Sequence, residues 1–407
     1  LTVGNMANLT GQAGYTIIFA MGLVFVLLLG EIDLSAGTAG GLCAVTMAIV
    51  LTKNGDLQSQ IGGGMYGAAI VAMVCGLAIA VWQRIWPAAV VVALGIVVMV
   101  THLGAHVWIG MFLAIATGVA IGCIVGWLVA NVGIPSFVVT LAFFLAWQGV
   151  IQQYEGKGGS INVNNFYPVI AIAHRNLTVP AGWVVFAVAL GGYAAVTITR
   201  SVRRRSQHLS AEPMVVVLSR LALLGVVGAI VVALLSGNRQ PNSDAKPIEG
   251  MPWVVPLIIV LLVGLTLLLT KTQFGRHLYA VGGNPEAARR AGIDVGRMRI
   301  AAFAIEGALF GLGGIALASQ IGGVPLDIGG NNTLLLAVAA AVVGGTSLFG
   351  GRGRIRDAVL GGIVIAIIPN GLLLHPNINA AFQYVITGGF LLLAAAIDAF
   401  GRRKQYR

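Results

Sequence analysis

The stretch LLLGEIDLSAGTAGG from Leu27 places two carboxylates, Glu31 and Asp33, and a hydroxyl, Ser35, between two apolar runs, 13–30 and 36–52. A third carboxylate, Glu306, stands inside AIEGALFG. Acids between or within such runs can bind a proton or cation, hydrogen-bond a polar solute, or cap a helix that starts beside them. Asp33 suits a cap for a helix beginning near Leu34, a role compatible with lining a path. Glu31 sits either at membrane depth or, if the chain turns there, at an interface where its charge costs little. Glu306 adjoins Gly307 and Gly311, a close-packing pair, and its position favours a hydrogen bond to a neighbouring helix. A second polar set lies in GIPSFVVTLAFFLAWQG from Gly133. There Thr140, Phe143 or Phe144, and Trp147 fall on one side of a helix, with Gln148 beside them. They are read either as bundle packing with interfacial aromatics or as one wall of a solute path. Asn331, Asn332, Asn370 and Gln383 are further polar groups near span ends.

The elements that must position these groups follow from composition. The chain has 407 residues, 58% hydrophobic and 9% charged, whereas a soluble domain carries about 25% charged residues. Its apolar runs recur near the roughly 20 residues a bilayer-crossing helix needs. A closed barrel would show alternating segments instead, so the class is an all-α, polytopic transmembrane bundle. The 57 glycines fit, because small residues let membrane helices approach closely. Spans are expected at 13–30, 36–52, 64–82, 86–103, 107–131, 135–152, 180–198, 214–236, 251–270, 299–320, 331–349, 357–374 and 379–397. Two readings stay open for 13–52: two crossings joined by a turn at Glu31, or one discontinuous segment bent near mid-membrane. VGGTSLFGGRG from Val343 faintly echoes LGEIDLSAGTAG from Leu29, an internal repeat or shared glycine content alone.

The net charge is +11. The basic residues cluster in RSVRRRSQH from Arg200, in loop 271–298, in RGRIR from Arg352 and in the tail GRRKQYR. The loops 153–179, 237–250, 321–330 and 375–378 are mixed or nearly neutral. The two sets alternate from residue 131 onward, which places the basic loops and the C-terminus in the cytoplasm and removes any need for a nucleic-acid partner. The outer loops 153–179 and 237–250 read as surface caps or docking surfaces. Cys43, Cys75 and Cys123 lie in apolar runs as small packing residues, without metal-ligand spacing, so neither metal nor cofactor is expected. No signal-peptide pattern is present, and the polar opening LTVGNMANLT suggests that a helix precedes residue 1. No nucleophile pair suggests an intramembrane enzyme. The chain lacks a Gly-rich loop followed by Lys-Ser/Thr, so any use of ATP must come from a partner.

The most informative loop is GGNPEAARRAGIDVGRMR from Gly282. Asn284 is a good N-cap and Pro285 suits the first helical position. Glu286 faces the positive end of the helix dipole, Ala287 and Ala288 favour helix, and Arg289 and Arg290 complement the negative end. Gly292 is a good stop. A helix of two turns over 285–291 is too short to stand alone in water and needs something to dock against. It is either an ordinary capped surface helix or a knob that fits a cleft on a cytoplasmic partner.

That loop resembles the coupling loop of permease subunits of ABC sugar importers of the ribose/xylose/galactose type. GEIDLSAGT resembles the family's Gly-Gly-Ile-Asp-Leu-Ser-Val-Gly-Ser segment, and GIPSFVVTLAFFLAWQG its Pro-Ser-Phe-Ile-x-Thr-Leu-Gly stretch. AAAVVGGTSLFGGRGRI resembles its Gly-Gly-Thr-Ser-Leu-Phe-Gly-Gly-Arg-Gly run. The motifs come in the right order across most of the chain, and the extra segment RSVRRRSQHLSAEPMVVVLSRLALL is most like the xylose-type branch. The resemblance implies one permease domain over 1–407, with discontinuous helices and a cytoplasmic coupling helix, in a bacterial plasma membrane. It implies a non-enzymatic pore subunit that pairs with a second copy as a homodimer. Two ATPase subunits would bind inside and a sugar-binding protein would dock outside. The family's functional positions fall on Asp33 and Ser35, on Thr140, and on Asn284 to Ala288. A sugar is hydroxyls with a few apolar C–H faces, and a path for it wants hydrogen-bond groups and aromatic surfaces. The candidate path is therefore Glu31, Asp33, Ser35, Thr140, Phe143, Trp147, Gln148, Asn331 and Asn332. The chain departs from the family at Glu31, where Gly is frequent, and at Leu334 and Leu336, where acids are expected. A rival reading is an ion-coupled secondary transporter with Glu31, Asp33 or Glu306 as its proton site.

Overall fold

The computed structural model describes residues 3–210, 212–238 and 248–373, with scattered positions beyond them. The helices are α1 (Val3–Leu28), α2 (Ala36–Thr52), α3 (Leu57–Trp82), α4 (Trp86–Val100), α5 (Val107–Trp127), α6 (Ser136–Glu155), α7 (Tyr167–His174) and α8 (Val179–Ser206). They continue as α9 (Met214–Ser236), α10 (Val254–Lys271), α11 (Gln273–Gly283), α12 (Pro285–Arg290), α13 (Val295–Ile321), α14 (Asn331–Val343) and α15 (Ile355–Leu373). Two short strands, β1 (Ser160–Asn162) and β2 (Gly323–Pro325), pair antiparallel. Among the described residues, 8 helices are long and apolar enough to cross a membrane, and the chain is an all-α bundle.

The centre is built from α1, α2, α5 and α13, whose faces are largely buried, while α8, α9 and α10 bury few residues. The outer helices present large aliphatics such as Val188, Leu223 and Val260 outward, as lipid contact requires. Close approach at the centre depends on absent side chains. A Cβ on Gly118 would meet the carbonyl oxygen of Gly307, and one on Gly307 would meet that of Gly118. A Cβ on Gly311 would likewise lie 2.8 Å from the Ala114 carbonyl oxygen. Residues 114, 118 and 122 of α5 thus descend against 311, 307 and 303 of α13, an antiparallel pair at backbone contact.

α13 also sets the direction of the first two helices. Gly11 meets Gln320, the Phe19 and Phe310 rings lie 5.7 Å apart, and Gly22 approaches Leu309, so α1 runs antiparallel to α13. Gly40 of α2 then packs on Phe19 and on the Gly314 backbone, and Gly104 near the far end of the bundle packs on Val50. Hence 13–52 is two antiparallel helices joined by a turn at 29–35, and α2, at 17 residues, is shorter than the helices long enough to cross a membrane. The turn faces the half of α13 nearer the basic loops. From β2 the segment 326–330 reaches back until Gly329 touches Gly37 in the first turn of α2. Both α2 and α14 therefore begin within the depth of the bundle.

Several boundaries differ from expectation for local reasons. α14 stops at Val343, short of 349, where Gly345 adopts φ +118°. α3 opens with a short helical turn at Leu57, where the Asp56 carboxylate accepts from Ser59 N–H at 3.0 Å, and Gly62 at φ +78° breaks that turn from the span that follows, next to the expected start at 64. α8 continues through Arg203, Arg204 and Arg205, which favour the negative end of its dipole. α7 and α11 fall in stretches expected to be loops. Cys43 and Cys123 are buried, whereas Cys75 faces outward. The span expected at 379–397, and Gln383, lie outside the described residues.

Candidate functional site

α1 ends because Gly30 takes φ +77°, and the chain crosses to α2 through the seven residues 29–35. The N–H groups of Leu29, Gly30 and Glu31 return to the carbonyls of Val26 and Leu27, and two of those that follow are met by α6. Ile32 N–H donates to Ser136 Oγ at 3.2 Å, and Leu34 N–H to Thr140 Oγ1 at 3.0 Å. The Thr140 hydroxyl donates to the Ser136 carbonyl at 2.9 Å, the usual i−4 bond of a helical Thr. At the start of α2, Asp33 Oδ1 accepts from Ser35 N–H at 2.6 Å and from Ser35 Oγ–H at 2.7 Å. Asp33 is thus the acceptor that closes α2, two residues before the N-cap Ser35, and Ser35 itself makes no side-chain cap. Asp33, Ser35 and Thr140 are 3%, 1% and 0% exposed, so in this state the chain itself seals them.

Two contacts tie the turn to α13. Glu31 forms an ion pair with Arg299 at 3.1 Å, although the Arg299 Nε–H is not aligned for a hydrogen bond. Glu306 is fully buried beside Asp33, and neither of its oxygens meets a donor. On the basic-loop side, three backbone segments converge. Gly351 N–H donates to the Leu28 carbonyl at 2.8 Å, a Cβ on Gly282 would overlap that same carbonyl, and Gly350 lies against Gly30. Tyr279 of α11 adds a hydrogen bond to the Gly353 carbonyl at 2.7 Å.

α11 leads directly into α12. Asn284 Oδ1 accepts from Ala287 N–H at 3.0 Å, and Glu286 pairs with Arg289 and Arg290 at 3.1 and 3.3 Å. Gly292 ends the helix at φ +80°, and Ile293 N–H returns to the Ala288 carbonyl at 3.0 Å. Ala288 alone turns inward; Pro285, Glu286, Ala287, Arg289, Arg290 and Gly292 are exposed. α12 is an exposed knob that follows α11, whose Gly282 meets the Leu28 carbonyl at the end of α1.

The remaining candidates lie further along α6. Phe143 and Trp147 stack at 4.8 Å with planes 10° apart, and Gln148 donates to the Leu326 carbonyl at 2.8 Å. Asn332 is exposed in the first turn of α14. Asn331 opens that helix, its side chain lying outside the described residues. Asn370 is buried. The structure therefore gathers Glu31, Asp33, Ser35 and Thr140 into one cluster, stacks Phe143 on Trp147 further along α6, sets Gln148 against Leu326, and holds 284–292 apart at the basic end. Sequence reasoning missed Ser136, Arg299, Gly282 and Tyr279. Ser136 stands one turn before Thr140 and was within reach of helical spacing; Arg299 carries no local mark of its partner. Phe274, Leu278 and Val281 share one face of α11, a signal for the overlooked helix. Among the described residues, no group of three or more His, Cys, Asp or Glu side chains could hold a metal ion.

A family model described as the permease component of branched-chain amino acid transport systems matches residues 87–395. Similar proteins include the xylose transport system permease protein XylH of Escherichia coli (strain K12), 32% identical over 100% of this chain and 87% of that protein. XylH of Haemophilus influenzae is 30% identical over 100% of this chain and 91% of its own length. The galactose/methyl galactoside import permease protein MglC of Escherichia coli (strain K12) is 25% identical over 99% and 89%. No solved structure matches the chain.

Proposed function

The chain belongs to this family of transport-system permease components, and from that premise we propose that it is the membrane-spanning subunit of an ATP-driven sugar importer. Full-length similarity to xylose and galactose permeases supports a monosaccharide, xylose or a related pentose or hexose, as cargo. We read residues 1–407 as one permease domain, working as a homodimer, with ATPase subunits on the cytoplasmic side and a sugar-binding protein outside. The basic loops and the C-terminus face the cytoplasm of a bacterial cell. The subunit is not itself catalytic.

The observation that carries this reading is the convergence of Gly282, Leu28 and Gly351. It joins the exposed α12 to the polar turn through backbone alone, without flexible side chains that would absorb motion. A nucleotide-driven displacement of α12 would shift Leu28 and Gly30, and with them the turn that carries Glu31, Asp33 and Ser35. Coupling requires α12 to contact the ATPase differently in the two states, which its exposed faces permit. Opening of the turn would bring Asp33, Ser35 and Thr140 to a path continued by Phe143, Trp147, Gln148, Asn331 and Asn332. The test is uptake into vesicles holding this chain, the ATPase subunits and the binding protein. Gly292→Pro removes an N–H that donates to the Arg289 carbonyl at 3.0 Å and forbids the positive φ; Glu286→Lys reverses the dipole-facing charge. Both should abolish uptake while the protein is still expressed. Normal uptake in both, or solute carried with no ATPase subunit present, overturns the proposal. The buried, unpartnered Glu306 is the observation that favours the second reading, an ion-coupled carrier, in which uptake would follow a proton gradient and ignore ATP.

A further inference from the structure

We propose that Asp33 and Glu306 hold a single proton between them, carried on Glu306, and that the neutral acid fastens the 29–35 turn to α13 whatever solute is carried. Glu306 has no exposed surface, and both of its oxygens lack a donor. Its neighbour is another carboxylate, Asp33, 3% exposed. Two ionised carboxylates side by side in a dry interior would suffer both desolvation and mutual repulsion. They would also offer acceptors and no donor between them. One proton removes all three difficulties, because a protonated carboxyl becomes an O–H donor to the other group.

The hydrogen bonds decide which carboxyl carries it. Asp33 Oδ1 already accepts two short bonds from Ser35, at 2.6 and 2.7 Å, which suit an ionised group. Glu306 receives none, so the proton belongs there. No cation competes. Arg299 is engaged by Glu31 at 3.1 Å and lies seven residues earlier on α13, about 10 Å along its axis. The titratable groups on the other elements packed against α13 are few. α1 carries Tyr15 toward the opposite end, α2 and α5 carry the thiols Cys43 and Cys123, and α7 carries Tyr167 and His174, the latter 3.2 Å from the Gln320 carbonyl in the last turn of α13. Arg276, His277, Tyr279, Glu286, Arg289 and Arg290 of α11 and α12 stay on the basic side.

Glu306 is thus a positioning residue. The test is infrared spectroscopy of the purified full chain in lipid nanodiscs at neutral pH, in H2O and D2O. Wild type should show a protonated-carboxyl C=O band that E306Q removes and D33N keeps; the difference spectrum cancels other buried acids such as Glu155. E306Q should fold as wild type does, because its neutral amide also donates. An ionised-carboxylate band lost in E306Q, an acid band lost in D33N, or an E306Q chain that does not fold would each overturn the proposal.

Discussion

Replacing Thr140 by Val removes one hydroxyl from a fully buried position and leaves shape almost unchanged. What it costs can be worked from the contacts. Thr140 Oγ1 receives the Leu34 N–H at 3.0 Å, and this amide belongs to a turn with no helical partner for it. The bond that the hydroxyl itself donates, to the Ser136 carbonyl at 2.9 Å, costs little when lost, since that carbonyl also serves the helix. The expected penalty is therefore one orphaned, partly buried donor, about 1–3 kcal/mol. Opening of the turn should rise by roughly 5- to 150-fold. Amide hydrogen exchange of the intact chain in nanodiscs reads this directly: residues 32–35 should lose protection by that factor in T140V, while the middle of α13 is unaffected. Thr140→Ser keeps the hydroxyl and should exchange within a few-fold of wild type. If T140V and T140S protect Leu34 equally, the hydroxyl does not hold the turn and α6 merely packs beside it.

Two further outcomes follow from the same geometry. Exchanging Glu31 and Arg299 for Gln, singly and together, should give a coupling of order 1 kcal/mol in thermal unfolding, because their side chains are only 14% and 27% exposed; additive effects would show that the pair contributes nothing. Gly118→Ala forces a methyl onto the Gly307 carbonyl and should cost about 1–3 kcal/mol, lowering the thermal midpoint. The control is Gly149→Ala on α6, where nothing lies within 4 Å of the added carbon, and that variant should be neutral or stabilised by up to ~1 kcal/mol.

Much of the architecture was legible because its causes are local. Apolar length marks the spans, and α2 and α9 begin and end where their runs do. The cap at Asn284, the stop at Gly292 and the ion pairs of Glu286 all follow from residues within four positions of one another. Asp33 as a helix-closing acceptor was equally readable, since its partner Ser35 is two residues away. α11 escaped because three glycines dilute its pattern, although Phe274, Leu278 and Val281 still trace its buried side.

The sequence by itself determined the class of protein, the places where helices start and stop, and the shape of the exposed knob at 285–290, since propensity, capping and hydrophobic length act between near neighbours. Only the tertiary structure decided that α2 doubles back along α1, that Ser136 and Thr140 receive the amides of the 29–35 turn, that Arg299 answers Glu31, and that Glu306 meets Asp33 with no donor between them. These are contacts between segments far apart in the chain. Inside a bundle without water, what a carboxylate or an amide does depends on the group the neighbouring helix places against it, and no local pattern records that choice.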